Sequence, residues 1–553
     1  MKLPKPSNLL GVFTISTVLT AGAIALGGVT TTTTSAGAAT EGVPGRSVIR
    51  HQAVLSNPTP GPTKNRNKNK NRHKQRQHAR EHEGQDQHLL RDFTQVVTPL
   101  QKTQSEASPS QSNHSTASSA ASAPVSVECS VPALVEAITN ANDSPGPDTI
   151  NLPRKCVFRL VAPDATNPAN GLPAITSDIT INGNDATITR DQSAPAFRIL
   201  FVAGTGNLTL NKVTISGGKA TDCPGVPVPP NPPGIVCGGG INNQGTLTMN
   251  HSRVVHNTAV SDVFAEGGGI DNDGTASVND TEVSGNAVEY TGTEPMSGAF
   301  GGGIASDGPM TLTYSRVSGN TVRVTGNTDS FALGAGYAAF NETTIDHSTI
   351  SDNHASAPGG TARGALTSAL DMTVTDTVIR DNTASAPGGT VTGGGVAFSG
   401  TMLMTRTRVI GNHATTEGGN ALGGGIRIAP GGQLTLRDST VSGNTVSARG
   451  GGSAVGGGID NSATPAGGTL ISERSKIVEN TAEAPDGGTA RGGGIFNDIG
   501  STTLTDSTVT GNTAGDGGGI FEASGTVTLN NSVVRDNQPN NCAPPGSVPG
   551  CTG

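Results

Sequence analysis

Residues Arg491 to Ala514 read RGGGIFNDIGSTTLTDSTVTGNTA, and most of the chain from about residue 205 onward is a variation on them. The grammar has four parts: a glycine run closed by an aliphatic residue (Gly492, Gly493, Gly494, Ile495), a Thr/Leu alternation, a Ser-x-Val step (Ser507, Val509) and a Gly-Asn pair (Gly511, Asn512). The internal copies supply their own register. The position after the glycines recurs at Ile241, Ile270, Ile304, Tyr337, Leu366, Val396, Ile426, Ile459, Ile495 and Ile520. The asparagine recurs at Asn257, Asn286, Asn320, Asn353, Asn382, Asn412, Asn444, Asn480, Asn512 and Asn537. Successive asparagines lie 25 to 36 residues apart, whereas six of the ten aliphatic-to-Asn spacings are 16, so a fixed segment alternates with an adjustable one.

Two further columns show which side chains face inward. Five positions before every Asn stands Ser or Thr (Ser252, Thr281, Ser315, Ser348, Thr377, Thr407, Ser439, Ser475, Ser507, Ser532), and three before it stands Val or Ile. Positions two apart share a strand face. The residue between them (Arg253, Glu282, Arg316, Lys476) is free to carry charge and is expected to face water. A unit this short cannot bury its own inner face and must stack on copies above and below. The expected fold is all-β, a parallel β-helix of about twelve coils with three short strands per coil, repeating at ~4.8 Å. The Asn column reads as structural: each amide would bond the turn of the next coil, and Asn tolerates the left-handed conformation such a turn needs, as the Gly before it does more cheaply.

Composition agrees with a thin stacked architecture. The 553 residues include 78 Gly, 12 Phe, 3 Tyr and no Trp, so the core must be made of Val, Ile, Leu, Ala and Thr. Gly costs about 1 kcal/mol relative to Ala inside a helix, which excludes long helices from most of the chain. The net charge of -8 hides an asymmetry: residues 1–126 hold 14 Lys/Arg and 6 Asp/Glu, and the remainder 21 and 37. A basic arm precedes an acidic body.

Taken in order, residues 1–38 have the pattern of a secretory signal peptide, with Lys2 and Lys5 ahead of an apolar run and a small-residue exit at Ala36-Gly37-Ala38. No transmembrane span is expected after its removal. Residues 39–126 are a polar, compositionally disordered linker. Its run 64–80 holds eight cationic side chains, read either as a tether to an anionic polymer or as a solvated linker. No aromatic residue interleaves those charges, so specific nucleic-acid binding is not expected. Residues 127–170 form an N-terminal cap: Pro132 to Asn142 places Leu134, Ile138 and Ala141 on one helical face, with Ser130 as N-cap. The β-helix follows over 171–538, then a tail over 539–553. The six cysteines form three sequence-local pairs, Cys129/Cys156, Cys223/Cys237 and Cys542/Cys551, and disulfides are expected because no metal-binding spacing is present.

The repeats resemble those of right-handed parallel β-helix proteins exported by bacteria. Gly492 to Asn497 (GGGIFN) is similar to the paired glycine-aliphatic and Phe-x-x-Asn motifs of polymorphic outer membrane proteins. The stretch from Leu134 through Asp148-Thr149-Ile150 to Gly171-Leu172-Pro173 resembles the entry segment of secreted β-helix proteins of Gram-positive bacteria. The resemblance implies a right-handed pectin-lyase-like solenoid and an extracellular or cell-wall-associated location. Phe-x-x-Asn is mostly reduced here to x-Asn, and no aromatic-rich C-terminal barrel follows.

Catalytic constellations are sparse. No Asp-Asp pair occurs in the folded region, and Asn327-Thr328-Asp329 stands alone. Asp271-Asn272-Asp273-Gly274 looks like half a calcium loop, but Gly269 occupies the first ligand position, so turn chemistry accounts for it. No cofactor or metal is expected; calcium is conceivable on an acidic body but has no motif. The two long loops of residues 287–300 and 321–333 gather Glu289, Tyr290, Glu294, Tyr314, Arg323 and Asp329, a candidate sugar-binding groove. The expected function is a non-catalytic binding or adhesion scaffold for polysaccharide or a cell-envelope polymer. The alternative is a polysaccharide lyase or glycoside hydrolase working through loops 287–333.

Overall fold

The computed structural model describes residues 123–224, 234–293, 297–325, 329–462 and 466–552. They form an all-β parallel solenoid of about eleven turns. The signal-peptide expectation, the basic run 64–80 and Glu294 lie outside the described residues.

The central coils hold five short strands rather than three. In one coil these are Ile270–Asn272, Thr275–Asn279, Glu282–Ser284, Ala287–Tyr290 and Gly298–Phe300. The first three ladders merge into one 35-stranded sheet, and the other two form separate nine-stranded sheets. Pairing is parallel and in register, as Ile270↔Ile304 and Val283↔Val317 show. The larger core packs the aliphatic column (Ile241, Ile270, Ile304) against the Ser-x-Val column (Val254, Val283, Val317). Between the two nine-stranded sheets the interior is filled mostly by Ala and Val, among them Ala259, Val288, Ala355 and Ala384, with Tyr290 the one large side chain of the cluster. Close sheet approach there explains the scarcity of large aromatics.

A helix, α1 (Val131–Asp143), covers the N-terminal end. Ser130 Oγ accepts from the Ala133 amide, and Leu134, Ile138 and Ala141 are buried in the larger core. The cysteines pair as expected: Cys129–Cys156, Cys223–Cys237 and Cys542–Cys551.

The Asn column forms an unbroken ladder. Each Nδ2 donates to Oδ1 of the Asn one coil on, from Asn257→Asn286 (3.0 Å) to Asn512→Asn537 (2.9 Å). The same Oδ1 accepts the backbone amide of the earlier Asn, and Nδ2 also reaches back to a carbonyl of the preceding coil, as Asn286 does to Val254. In one respect the expectation is corrected: the left-handed residue is the one before each Asn. Gly285, Gly319, Asp352, Asp381 and Glu479 have φ of 63, 63, 59, 55 and 56°, whereas the asparagines keep negative φ. The turn and the amide bond are therefore made by neighbouring residues.

Candidate functional site

The residues of the expected groove do not converge. Glu289 and Arg323 are register partners in one nine-stranded sheet, with opposite charges side by side. Tyr290, next to Glu289, faces inward and is fully buried. Tyr314 lies in a turn of the 35-stranded sheet, where its exposed ring stacks on His347 with centroids 4.9 Å apart. Asp329 is exposed ahead of the strand Phe331–Leu333.

A different concavity is built by the glycine runs. At each Gly-Gly-Gly corner the first glycine has a positive φ, +59° at Gly267 and +67° at Gly456. A Cβ on Gly267 would stand 2.5 Å from Cβ of Asp271, and one on Gly456 would stand 2.7 Å from Cβ of Asp460. The chain folds back so tightly that the outward residues on either side of the corner face each other. Those residues, five apart in sequence, are buried although they point away from the core: Glu266 and Asp271, Phe300 and Ala305, Leu333 and Ala338, Leu422 and Arg427, Val455 and Asp460. Stacked coil on coil through strand register, they line a groove running along the solenoid. Its walls hold two apolar clusters separate from the cores, one of Phe300, Phe331, Leu333 and Ala338, the other of Leu422, Val455, Phe496, Phe521 and Ala543.

The N-terminal part of the groove is acidic. Glu266 and Asp271 flank one corner, Asp273 follows two residues on, and Asp307 occupies the position equivalent to Asp273 in the next coil. Asp273 is exposed and Asp307 half-buried, so the cluster opens to solvent from inside the concavity. Desolvation within the concavity raises all four carboxyls, least at the exposed Asp273. Asp273 is pushed up to about 6 and Asp307 to about 7, while Glu266 and Asp271 go well above the ordinary carboxylate range. Mutual repulsion adds to the rise at Glu266, Asp271 and Asp307. Asn242 opposes it at Asp271 by donating Nδ2 to Oδ2 at 2.6 Å.

Aromatic rings adjoin the acids. Phe264 stacks on Phe300 at 6.0 Å between centroids, and Phe340 meets Phe300 edge-on at 5.9 Å. Phe264 and Phe340 are only partly buried and offer ring surface to the groove. Farther along, Arg427 pairs with the fully buried Asp460. Burial raises the Asp460 carboxyl and Arg427 counters it. Beyond that pair, Arg491 sits over the Phe521 ring at 4.9 Å, and Phe521 stacks on Phe496.

The sequence carried one visible sign of the acidic corner. In Asp271-Asn272-Asp273-Gly274, Asn272 does bond within the coil stack, taking Asn243 Nδ2 and giving its own Nδ2 to Ser306 Oγ. The flanking aspartates instead point outward, and their partner Asp307 is 34 residues on from Asp273.

Two side-chain groups among the described residues bring three potential metal-ligating atoms within 4.8 Å of one another. One is Cys223, Cys237 and Asp271, whose sulfurs are committed to a disulfide. The other is Asp346, His347 and Asp376, where Arg406 already forks onto Asp376 at 2.7 and 2.6 Å.

No family model matches the chain, and no curated protein matches it. Among solved structures, the chain is similar to the A-module of the mannuronan C-5 epimerase AlgE6 from Azotobacter vinelandii. The match has 14% identity and a TM-score of 0.31, covering 75% of this chain and 95% of that one. No helix among the described residues is long and apolar enough to cross a membrane.

Proposed function

We propose that this protein binds polysaccharide along the corner groove, as a non-catalytic β-helix of the cell surface or its surroundings. The supporting observation is the pairing of partly exposed Phe264 and Phe340 with the carboxyls of Asp273 and Asp307 inside one continuous concavity. Ring faces pack the apolar faces of sugars, and carboxyls bond their hydroxyls. Three disulfides accord with an oxidising, extracellular setting. The basic run 64–80 would hold the protein to an anionic envelope polymer, and deleting it should release the protein from cells; unchanged retention would remove that part of the reading.

The test is a binding and digestion screen of the full chain against neutral, acidic and amine-bearing polysaccharides. At least one should bind, and Phe340→Ala should weaken it about tenfold, an effect of ~1.4 kcal/mol. Absence of binding across the panel would overturn the reading. A second reading, as a lyase or glycosidase, draws support from Asp307, since a carboxyl held near neutral pH is suited to general acid catalysis. Chain shortening or new unsaturated ends, abolished in Asp307→Asn, would favour it over binding alone.

A further inference from the structure

The N-terminal end of the solenoid is closed on one ladder and open on the next. Strand β1 (Val125–Ser126) lies in parallel register on β2 (Asp148–Asn151), and α1 then crosses the end of the larger core. The following strand of that coil, β3 (Val157–Leu160), pairs among the described residues with β4 (Asp178–Arg190) alone. Cys156 and Leu160 give their carbonyls to the amides of Thr187 and Asp191, so the alternation of the strand turns N–H and C=O of Val157 and Arg159 the other way, toward the end of the stack. Exposure agrees. Val157 and Arg159 are exposed, whereas Thr187, Thr189, Thr214 and Ser216, in the same columns one and two coils on, are half-buried between neighbours.

The occupant of such an edge must be an extended strand, and the chain that leads into β1 carries one suited to it. Residues 89–100 hold six of the eleven Val, Ile, Leu and Phe of residues 39–122. Within them Thr94-Gln95-Val96 repeats the Ser/Thr-x-Val/Ile step that stands before every Asn of the column, and Val97 and Thr98 extend a β-branched run that Pro99 closes. The linker has one other such step, Ser47-Val48-Ile49. Spacing singles out the first. Through the ladder register Val125 belongs to the column of Leu312, and Val96 would join that of Val283; each pair is 29 residues apart, and other coils take 20 to 34. A segment on the same chain also competes at an effective concentration in the millimolar range, which a second copy would have to match.

We propose that the open edge of β3 is the docking site of residues 94–98 of the same chain, which add to it as a parallel strand and begin the solenoid one partial coil earlier. Val96 then stands over Phe158 and Thr98 over Leu160 on the core side, beside α1. Gln95 and Val97 take the outward positions of Val157 and Arg159, whose free N–H and C=O groups the added strand pairs. Pro99 falls where the first coils have Val161, Asp191 and Gly218, beyond the last paired residue.

Amide hydrogen exchange on the full chain tests this. Residues 95–98 should exchange at least about tenfold more slowly than residues 103–120, and the amides of Val157 and Arg159 should be protected with them. Val96→Asp sets a charge on the core side of the added strand. It should return residues 95–98 to fast exchange and speed Val157 and Arg159 by about tenfold, while β4 stays protected and so reports an intact solenoid. Ile49→Asp, in the linker's other step, should change nothing. Fast exchange at residues 95–98 in the parent chain, or β3 amides indifferent to Val96→Asp, would overturn the docking, as would an equal loss in Ile49→Asp. Protection of Val157 that rises with protein concentration, together with a dimer in sedimentation, would overturn it too and assign the edge to a second copy.

Discussion

Asp307 keeps a proton that ordinary surface carboxylates give up, and that sets the sign of a pH effect. A carboxyl whose folded value lies above its unfolded one contributes stability fully present below the unfolded value and lost as pH rises through the folded one. For Asp307 at about 7, the window runs from about pH 4 to about pH 7. Thermal unfolding midpoints should fall across that interval, and Asp307→Asn should flatten the fall. A midpoint rising with pH there would contradict the burial argument. At the same scale, Asn382 gives and receives ladder bonds on both sides while fully buried. Asn382→Ala should cost about 2–4 kcal/mol by denaturant titration, because it orphans polar atoms on two neighbouring coils. Legibility divides at this level. Asn382 recurs in a column and its inward role is readable from its copies. Glu266 stands in an outward column whose next members are Phe300 and Leu333, and the column of Asp307 holds Asp273 in one neighbouring coil and Phe340 in the other, so no run of copies marks either site.

Among elements, the glycine corner does the most to shape the surface. Gly456→Ala would place a methyl 2.5 Å from the Ile459 carbonyl oxygen and 2.7 Å from Asp460 Cβ, at φ +67°. Gly487→Ala meets nothing within 4 Å, though its φ is +80°. The second substitution should cost about 1 kcal/mol, the conformational term alone. The first should cost clearly more and disturb the Arg427–Asp460 pair, a difference that equilibrium unfolding of the two variants would register. Equal losses would mean that the corner yields easily. The sequence announces these corners as Gly-Gly-Gly, but not their curvature. That comes from a left-handed first residue and a fold-back bringing residues five apart face to face. Strand number escaped for a related reason: segments such as Phe264–Glu266 and Thr361–Arg363 are three residues long and lie inside the variable half of the repeat.

For the whole solenoid, stability is expected to add up coil by coil, since each coil contacts chiefly its neighbours. Removing residues 383–412 excises one repeat between equivalent points and would let Asn382 pair with Asn444. The shortened chain should keep its β-sheet signature and its acidic corner, and unfold at a modestly lower temperature. Collapse to an unfolded chain would show that the coils are not interchangeable. Parallel stacking was readable from the repeats because a fixed segment recurs around a variable one. The groove became visible only in three dimensions, as a property shared by many coils and owned by none.

The Asn ladder has a direction: every Nδ2 donates toward the C-terminal coil, so Asn537 needs an acceptor beyond the column. Asn541 provides it, accepting from Asn537 at 3.1 Å, one residue before the Cys542–Cys551 loop. The tail thus acts as a stopper on a stack that could otherwise keep growing. Without it, the final rung becomes an open edge that can pair with the same edge of a second chain. Because α1 covers the N-terminal end, deleting residues 540–553 should produce pairs joined through their open C-terminal rungs, visible as concentration-dependent light scattering, and the small terminal loop would then be the device that keeps one molecule from pairing with the next.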